Sequence, residues 1–215
     1  MATPGRVDYA VAAAWQETLV GRRLAGDPDV LLLLEHPSVY TLGRGADRLH
    51  LRDAGEGGIP VVHTGRGGQV TWHGPGQLVG YPILDLRQHR TDVRWYVGAL
   101  EQTLIDALGD LGVAAGRRAG HPGVWVGARK IASIGVAIRR WVTWHGFALN
   151  VAPDLSAFAA ITPCGIAGIE MTSVAREGGP AEVGAVLPVV LTRFVATFGY
   201  EGWAALPVEA PAASA

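Results

Sequence analysis

The 215-residue chain carries 18 Lys plus Arg against 19 Asp plus Glu, a formal net charge of −1, which leaves no basic excess for an electrostatic nucleic-acid binder. Charged residues are only 17% and apolar ones 49%, enough for one domain to bury a core unaided. A lone cysteine, Cys164, excludes an internal disulfide framework and any zinc site of several thiolates, and no aliphatic run approaches the roughly 20 residues of a membrane helix.

Residues 8–25 place Tyr9, Val11, Ala12, Trp15, Leu19 and Val20 at helical spacing. Residues 30–34 and 39–42 read as short strands split by His36-Pro37. Residues 60–64, 69–73 and 78–86 read as further strands separated by glycine-rich turns. A second helix is expected over 92–111, with an apolar stripe through Val93, Tyr96, Val97, Leu100, Leu104, Ala107, Leu108 and Leu111 and an N-cap at Thr91 or Asp92. Residues 123–126, 130–139 and 142–150 form a meander with tight turns at Gly127-Ala128 and Arg140-Trp141. A third helix over 182–198 is expected to be interrupted or bent near Pro188. Residues 1–205 thus read as a single domain and 206–215 as a disordered Pro- and Ala-rich tail. Strands with interspersed, not alternating, helices point to an α+β fold. The N-terminus is followed by no apolar signal region, and a cytoplasmic protein is expected.

The common nucleotide signatures are absent: Gly65-Arg66-Gly67-Gly68 lacks the Gly-Lys-Ser/Thr end of a P-loop, and Gly43-Arg44-Gly45 lacks the third dinucleotide glycine. None of the five serines sits in a G-x-S-x-G elbow. Of the 18 basic residues, 17 are Arg and one, Lys130, is Lys. Codon bias explains such an excess of Arg. It also marks the surviving lysine, because Lys can lose its proton in a protein and Arg cannot.

Three glycine-dense segments remain. Thr64–Leu78 presents open backbone beside Arg66 and His73, as a ligand-cradling loop does and as an ordinary hairpin turn also does. In 127–137, Lys130 opens a strand whose period of two would put it on one face with Ala132, Ile134 and Val136; a strand-end lysine reaching into water fits the same pattern. In Thr162-Pro163-Cys164-Gly165-Ile166 the glycine leaves one side of the thiol open, although a free cysteine is most often a small core hydrophobe.

Together these segments resemble the lipoate–protein ligase B family of octanoyl-acyl-carrier-protein:protein octanoyltransferases, over most of the chain to about Val174. The resemblance is carried by R-G-G-Q-V-T-W-H at 66–73 with G-P-G-Q-L after it, K-I-A-S-I-G at 130–135, H-G-F-A-L-N-V at 145–151 and T-P-C-G-I at 162–166. It implies a biotin/lipoyl protein ligase-like fold, with a mixed, mostly antiparallel sheet flanked by helices. It implies transfer of an octanoyl group from acyl carrier protein to one lysine of a lipoyl carrier domain, in 2-oxoacid dehydrogenase complexes or the glycine cleavage H protein. Carried over by motif, Cys164 is the acyl-thioester nucleophile and Lys130 its acid/base partner. The substrate site would be lined by Arg66, Gly67, Gly68, Gln69, Val70, Thr71, Trp72 and His73, by Ser133, Ile134 and Gly135, and by Gly146, Phe147 and Ala148. No cofactor, metal, nucleic acid or membrane is called for.

The chemistry of the two residues agrees. A thiol of pKa about 8.5 is only about 3% thiolate at pH 7, and lowering it to about 7 gives a roughly 15-fold gain. An adjacent lysine can supply the counter-charge or take the proton. Two other readings stay open: an ATP-dependent lipoate or biotin ligase of the same fold, and a non-catalytic acyl or lipoyl-domain binding module. Arg66 and Arg129 are candidates to meet an acidic carrier at the entrance.

Overall fold

In a computed structural model of the chain, residues 1–51, 58–162 and 168–206 are described, Arg48 by its backbone alone. The elements run β1 (Ala2–Arg6), α1 (Tyr9–Leu24), β2 (Val30–Glu35), β3 (Val39–Leu42), β4 (Val61–His63), β5 (Val70–His73), β6 (Gln77–Ile83), α2 (Val93–Asp110), β7 (Gly116–Arg118), β8 (His121–Val126), β9 (Arg129–Arg139), β10 (Val142–Asn150) and α3 (Val183–Phe198).

Seven strands form one sheet in the order β1-β2-β6-β10-β9-β8-β7, antiparallel throughout except where β1 runs parallel to β2. A second sheet of three strands, β4-β3-β5, pairs β3 parallel with β4 and antiparallel with β5. The layout is the α+β arrangement expected, a mixed and mostly antiparallel sheet with helices on its faces.

The period of two along β2 explains the layering. Leu31 and Leu33 enter the core that α2 and α3 cover, and Leu32 and Leu34 enter the core beneath α1. On α2, Tyr96, Leu100, Leu104, Ala107 and Leu108 of the predicted stripe are fully buried, while Val93, in the first turn, stays 45% exposed. Asp92 caps that helix, accepting from the backbone N–H groups of Arg94 at 2.8 Å and Trp95 at 3.1 Å. A third cluster, around Tyr40, Val70, Trp72, Phe158 and Met171, fills the space behind the small sheet.

Several details differ from the sequence expectation. β1 contains Pro4, which reads as a strand breaker but is tolerated on an edge strand where one side has no partner. The strand expected over 78–86 ends at Ile83, because Asp85 turns the chain into a 3-10 turn by accepting from the Arg87 N–H at 3.0 Å. Of the two forms expected for the third helix, interruption at Pro188 is not what forms, since the helix is continuous through it. Leu206, taken as the first tail residue, donates its N–H to the Met1 carbonyl at 2.6 Å, and 207–215 lie outside the described residues. Among the described residues no helix is long and apolar enough to cross a membrane.

Candidate active site

A cavity of about 240 Å³ lies between β9 and β10 of the large sheet, β5 of the small sheet and the first turn of α1. Its walls take Arg66, Gly68, Gln69, Val70, Thr71 and His73 from the glycine-rich loop and β5. Ser133, Ile134 and Gly135 line it from β9, and Gly146, Phe147 and Ala148 from β10. Of the residues singled out for substrate, only Gly67 and Trp72 fall outside this lining. Gly67 ties the loop to β9 by donating to the Val136 carbonyl at 2.9 Å. Trp72 points into the third cluster, with its ring edge-on to Phe158 at 5.4 Å.

The loop seats closely because glycines face one another. A Cβ on Gly43 would lie 2.3 Å from the Gly68 carbonyl oxygen, and one on Gly135 would meet Arg66 Cδ and Gly67 O at 3.1 Å. Arg66 is buried rather than placed at an entrance. Its guanidinium donates to the Thr41 carbonyl at 2.6 Å and to Thr41 Oγ1 at 2.9 Å. Arg129 is held by Glu177 at 2.9 Å.

Lys130 lines the cavity and is 2% exposed, so the strand-end lysine reaching into water is not what forms. Its face also differs from simple alternation. Trp125 of β8 pairs with Lys130 but Val124 pairs with Ala132, so β9 carries one extra residue there. This bulge sends Ile131 and Ala132 both toward the core and turns Lys130 to the cavity side with Ser133 and Gly135. Its Nζ donates to the Pro122 carbonyl at 2.9 Å and lies 5.3 Å from the centre of the Trp125 ring. Its backbone is fixed as well: N–H donates to Glu170 O, and its carbonyl accepts from Thr172 N–H, both at 2.9 Å. Cys164 lies with 163–167 outside the described residues.

Away from Lys130, Tyr9, His73, Tyr81 and His145 bring rings to the wall, and His36 packs against the first three. His36 Nδ1 is 2.6 Å from the Val7 carbonyl and Nε2 is 2.7 Å from the Tyr81 hydroxyl. A carbonyl only accepts, so Nδ1 carries the proton and Nε2 receives the Tyr81 O–H. His73 Nδ1 meets Gln77 Oε1 at 3.2 Å, while Gln77 Nε2 donates to Asn150 Oδ1 at 3.0 Å and Asn150 Nδ2 donates to Thr172 O at 2.9 Å. His73 is therefore also an Nδ1–H donor, joined by two amides to the segment that holds Lys130.

Burial is the main reason these imidazoles stay neutral. It lowers His36 to about 4, and it lowers His73 well below the usual histidine value with help from His36 and Arg66. His145 falls to about 4 by burial, with Arg66 and Arg44 adding to the shift. His145 is held in a left-handed backbone conformation at φ 56°, with its N–H given to Gln16 of α1 at 2.8 Å and its ring stacked on Trp144 at 4.4 Å. Neither of its ring nitrogens has a hydrogen-bond partner among the described residues. No group of three or more His, Cys, Asp or Glu among the described residues is arranged to hold a metal ion.

Tyr9, Tyr81, His121, Pro122 and His145 line the cavity without having been singled out as site residues. His145 carried a signal, since it opens the H-G-F-A-L-N run. Tyr9 reads from sequence only as part of a helix face.

The lipoyl protein ligase A/B catalytic-domain model matches residues 8–195. An octanoyltransferase from Gloeobacter violaceus is 52% identical over 200 residues, covering 92% of this chain and 89% of the relative. One from Solibacter usitatus is 53% identical over 205 residues, covering 92% and 91%. Among solved structures, a chain from the lipoylation system of Thermoplasma acidophilum, a bi-partite lipoate protein ligase and its E2 lipoyl domain, superposes with TM-score 0.77 at 16% identity, covering 96% of this chain and 86% of that one. The biotin protein ligase of Aquifex aeolicus with biotin and ATP gives 0.56 at 14% identity, covering 93% and 69%. At such identities these two speak for the fold alone.

Proposed function

The chain belongs to the lipoyl protein ligase A/B catalytic family and is an octanoyltransferase serving protein lipoylation; from that premise we propose that it works through a thioester on Cys164, with Lys130 as the acid/base group. The observation that carries this reading is a buried lysine, the chain's sole one, on the wall of a cavity in a chain about half identical to octanoyltransferases. Acyl donor and lipoyl-domain acceptor follow in general terms from the family. The finer proposal is octanoyl-acyl carrier protein as donor and the lipoyl domains of 2-oxoacid dehydrogenase complexes and the glycine cleavage H protein as acceptors. Residues 1–205 act as the single catalytic domain.

In the first half-reaction the Cys164 thiolate attacks the thioester carbonyl, the tetrahedral oxyanion collapses, and the carrier thiol leaves with the proton that the Lys130 ammonium gives up, which makes Lys130 neutral. In the second, the neutral ε-amine of the acceptor lysine attacks the Cys164 thioester, Lys130 receives the amine proton, and the thiolate departs. One thioester replaces another at little cost, and the amide formed last lies downhill, so the sequence balances without ATP.

The cavity suits the acyl group. Burying about seven CH₂ and CH₃ groups at ~0.8 kcal/mol each contributes on the order of 5 kcal/mol before ordering costs. Val70, Ile134, Phe147 and Ala148 supply apolar surface, and the close-set glycines leave room for the chain.

Intact-mass analysis after mixing with octanoyl-acyl carrier protein tests the reading. The wild-type chain should gain one octanoyl group without ATP and lose it when a lipoyl domain is added; Cys164→Ala should gain none. An adduct that persists in Cys164→Ala, or transfer that requires ATP, overturns the covalent route.

A further inference from the structure

The carbonyl that receives the Lys130 ammonium is half of a peptide unit whose other half is also engaged. Pro122 supplies the C=O, at 2.9 Å from Nζ, and the N–H of the same peptide belongs to Gly123. That N–H donates at 3.0 Å to Oε1 of Glu101, a residue of α2 that is 8% exposed. The second oxygen, Oε2, accepts from Arg117 Nε at 2.9 Å, and Arg117 Nη2 donates to the Gly98 carbonyl at 2.8 Å. Both carboxylate oxygens are thus fixed.

We infer that Glu101 is a positioning residue for Lys130, acting through the peptide between Pro122 and Gly123. The peptide is planar and rigid, so holding its N–H fixes where its C=O points. An amide that donates to a carboxylate carries more negative charge on its oxygen, and hydrogen bonds in such a chain reinforce one another. The Pro122 oxygen is therefore both aimed at the ammonium and strengthened as its acceptor.

Gly123 makes the arrangement possible. It adopts φ 119°, and a Cβ there would lie 2.5 Å from the Ala132 carbonyl oxygen and 2.7 Å from Lys130 Cε. Only a residue without a side chain lets this peptide lie against the lysine stem. The Trp125 ring flanks the same ammonium, leaving Nζ in a defined place on the cavity wall. The inference rests on the role proposed for Lys130 and assigns Glu101, from the far side of the sheet, to holding that residue ready.

Because Lys130 is the sole lysine, protein grown with ¹³C,¹⁵N-lysine gives one side-chain NMR signal and an unambiguous probe. Glu101→Gln conserves shape and removes the charge. Its lysine signal should move away from the wild-type position. Its kcat for octanoyl transfer should fall about tenfold, the size of a lost hydrogen bond to a charged group, with KM for donor and acceptor unchanged. Glu101→Asp, which restores the charge on a shorter stem, should recover part of both effects. If Glu101→Gln does not fold, Glu101→Asp against wild type decides by the same two readouts. A folded variant whose lysine signal matches wild type, or one that changes KM alone, overturns the inference. A wild-type chain that forms no octanoyl adduct overturns the thioester route instead, and the lysine signal still reports whether Glu101 acts on it.

Discussion

Between Trp125 and Val124 of β8 the facing strand takes two steps where its partner takes one, and that extra residue sets the face on which Lys130 emerges. Strict alternation would have buried its ammonium among Ala132, Ile134 and Val136, where a charge has no partner. The bulge turns it instead to a carbonyl, an indole ring and the cavity. The residue was legible in the sequence as the one lysine among 17 arginines; its direction was not, since a bulge is a property of two strands together. The base role can be tested at the same position. Lys130→Arg keeps the charge but cannot release a proton, so octanoyl transfer is expected to fall at least ~100-fold. Near-normal turnover in a steady-state assay would leave Lys130 only an electrostatic part.

At the level of elements, the three helices and the β8–β10 meander follow from local pattern. The turn at Arg140-Trp141 has both residues at positive φ, 53° and 68°, as a tight two-residue hairpin connection demands. β1 and β7 were not legible, because Ala2–Arg6 and Gly116–Arg118 carry no alternation of their own and exist only by pairing with β2 and β8. The pairing of β6 with β10 shows what the glycines are for. A Cβ on Gly146 would lie 2.2 Å from the Gly80 carbonyl oxygen and 2.6 Å from Pro82 Cδ, while the space above Gly80 is filled by the Phe147 ring. Gly146→Ala should therefore force two central strands apart and cost ~1–3 kcal/mol. Thermal melting would register this as a loss of about 2–4 °C for each kcal/mol, and an unchanged midpoint would show that the strands give way freely.

Across the whole molecule, the neutral imidazoles beside the cavity link stability to pH. An unfolded histidine takes its proton near pH 6.5, but His36 and His145 do so in the fold only near 4, because burial disfavours the charge. The unfolded chain therefore binds more protons between those values. Stability is complete above about pH 6.5 and falls as pH drops toward 4, by about 2 kcal/mol for each of the two residues at pH 5. Urea midpoints at pH 7.5 and pH 5 check this; equal values would mean that the rings charge inside the fold.

What the sequence determined by itself was the inventory and the local pieces: one lysine, one cysteine, the glycine-dense runs, and helices and strands written in periods of 3.6 and 2. Those properties depend on neighbours within a turn or two of chain. The tertiary structure alone decided which way Lys130 points, that Arg66 is buried against Thr41 instead of guarding an entrance, and that Glu101 reaches the peptide that holds the lysine. Each of these is a contact between segments brought together by packing. The physical reason is that direction and burial are properties of pairs of elements, and no local pattern of residues contains the pair.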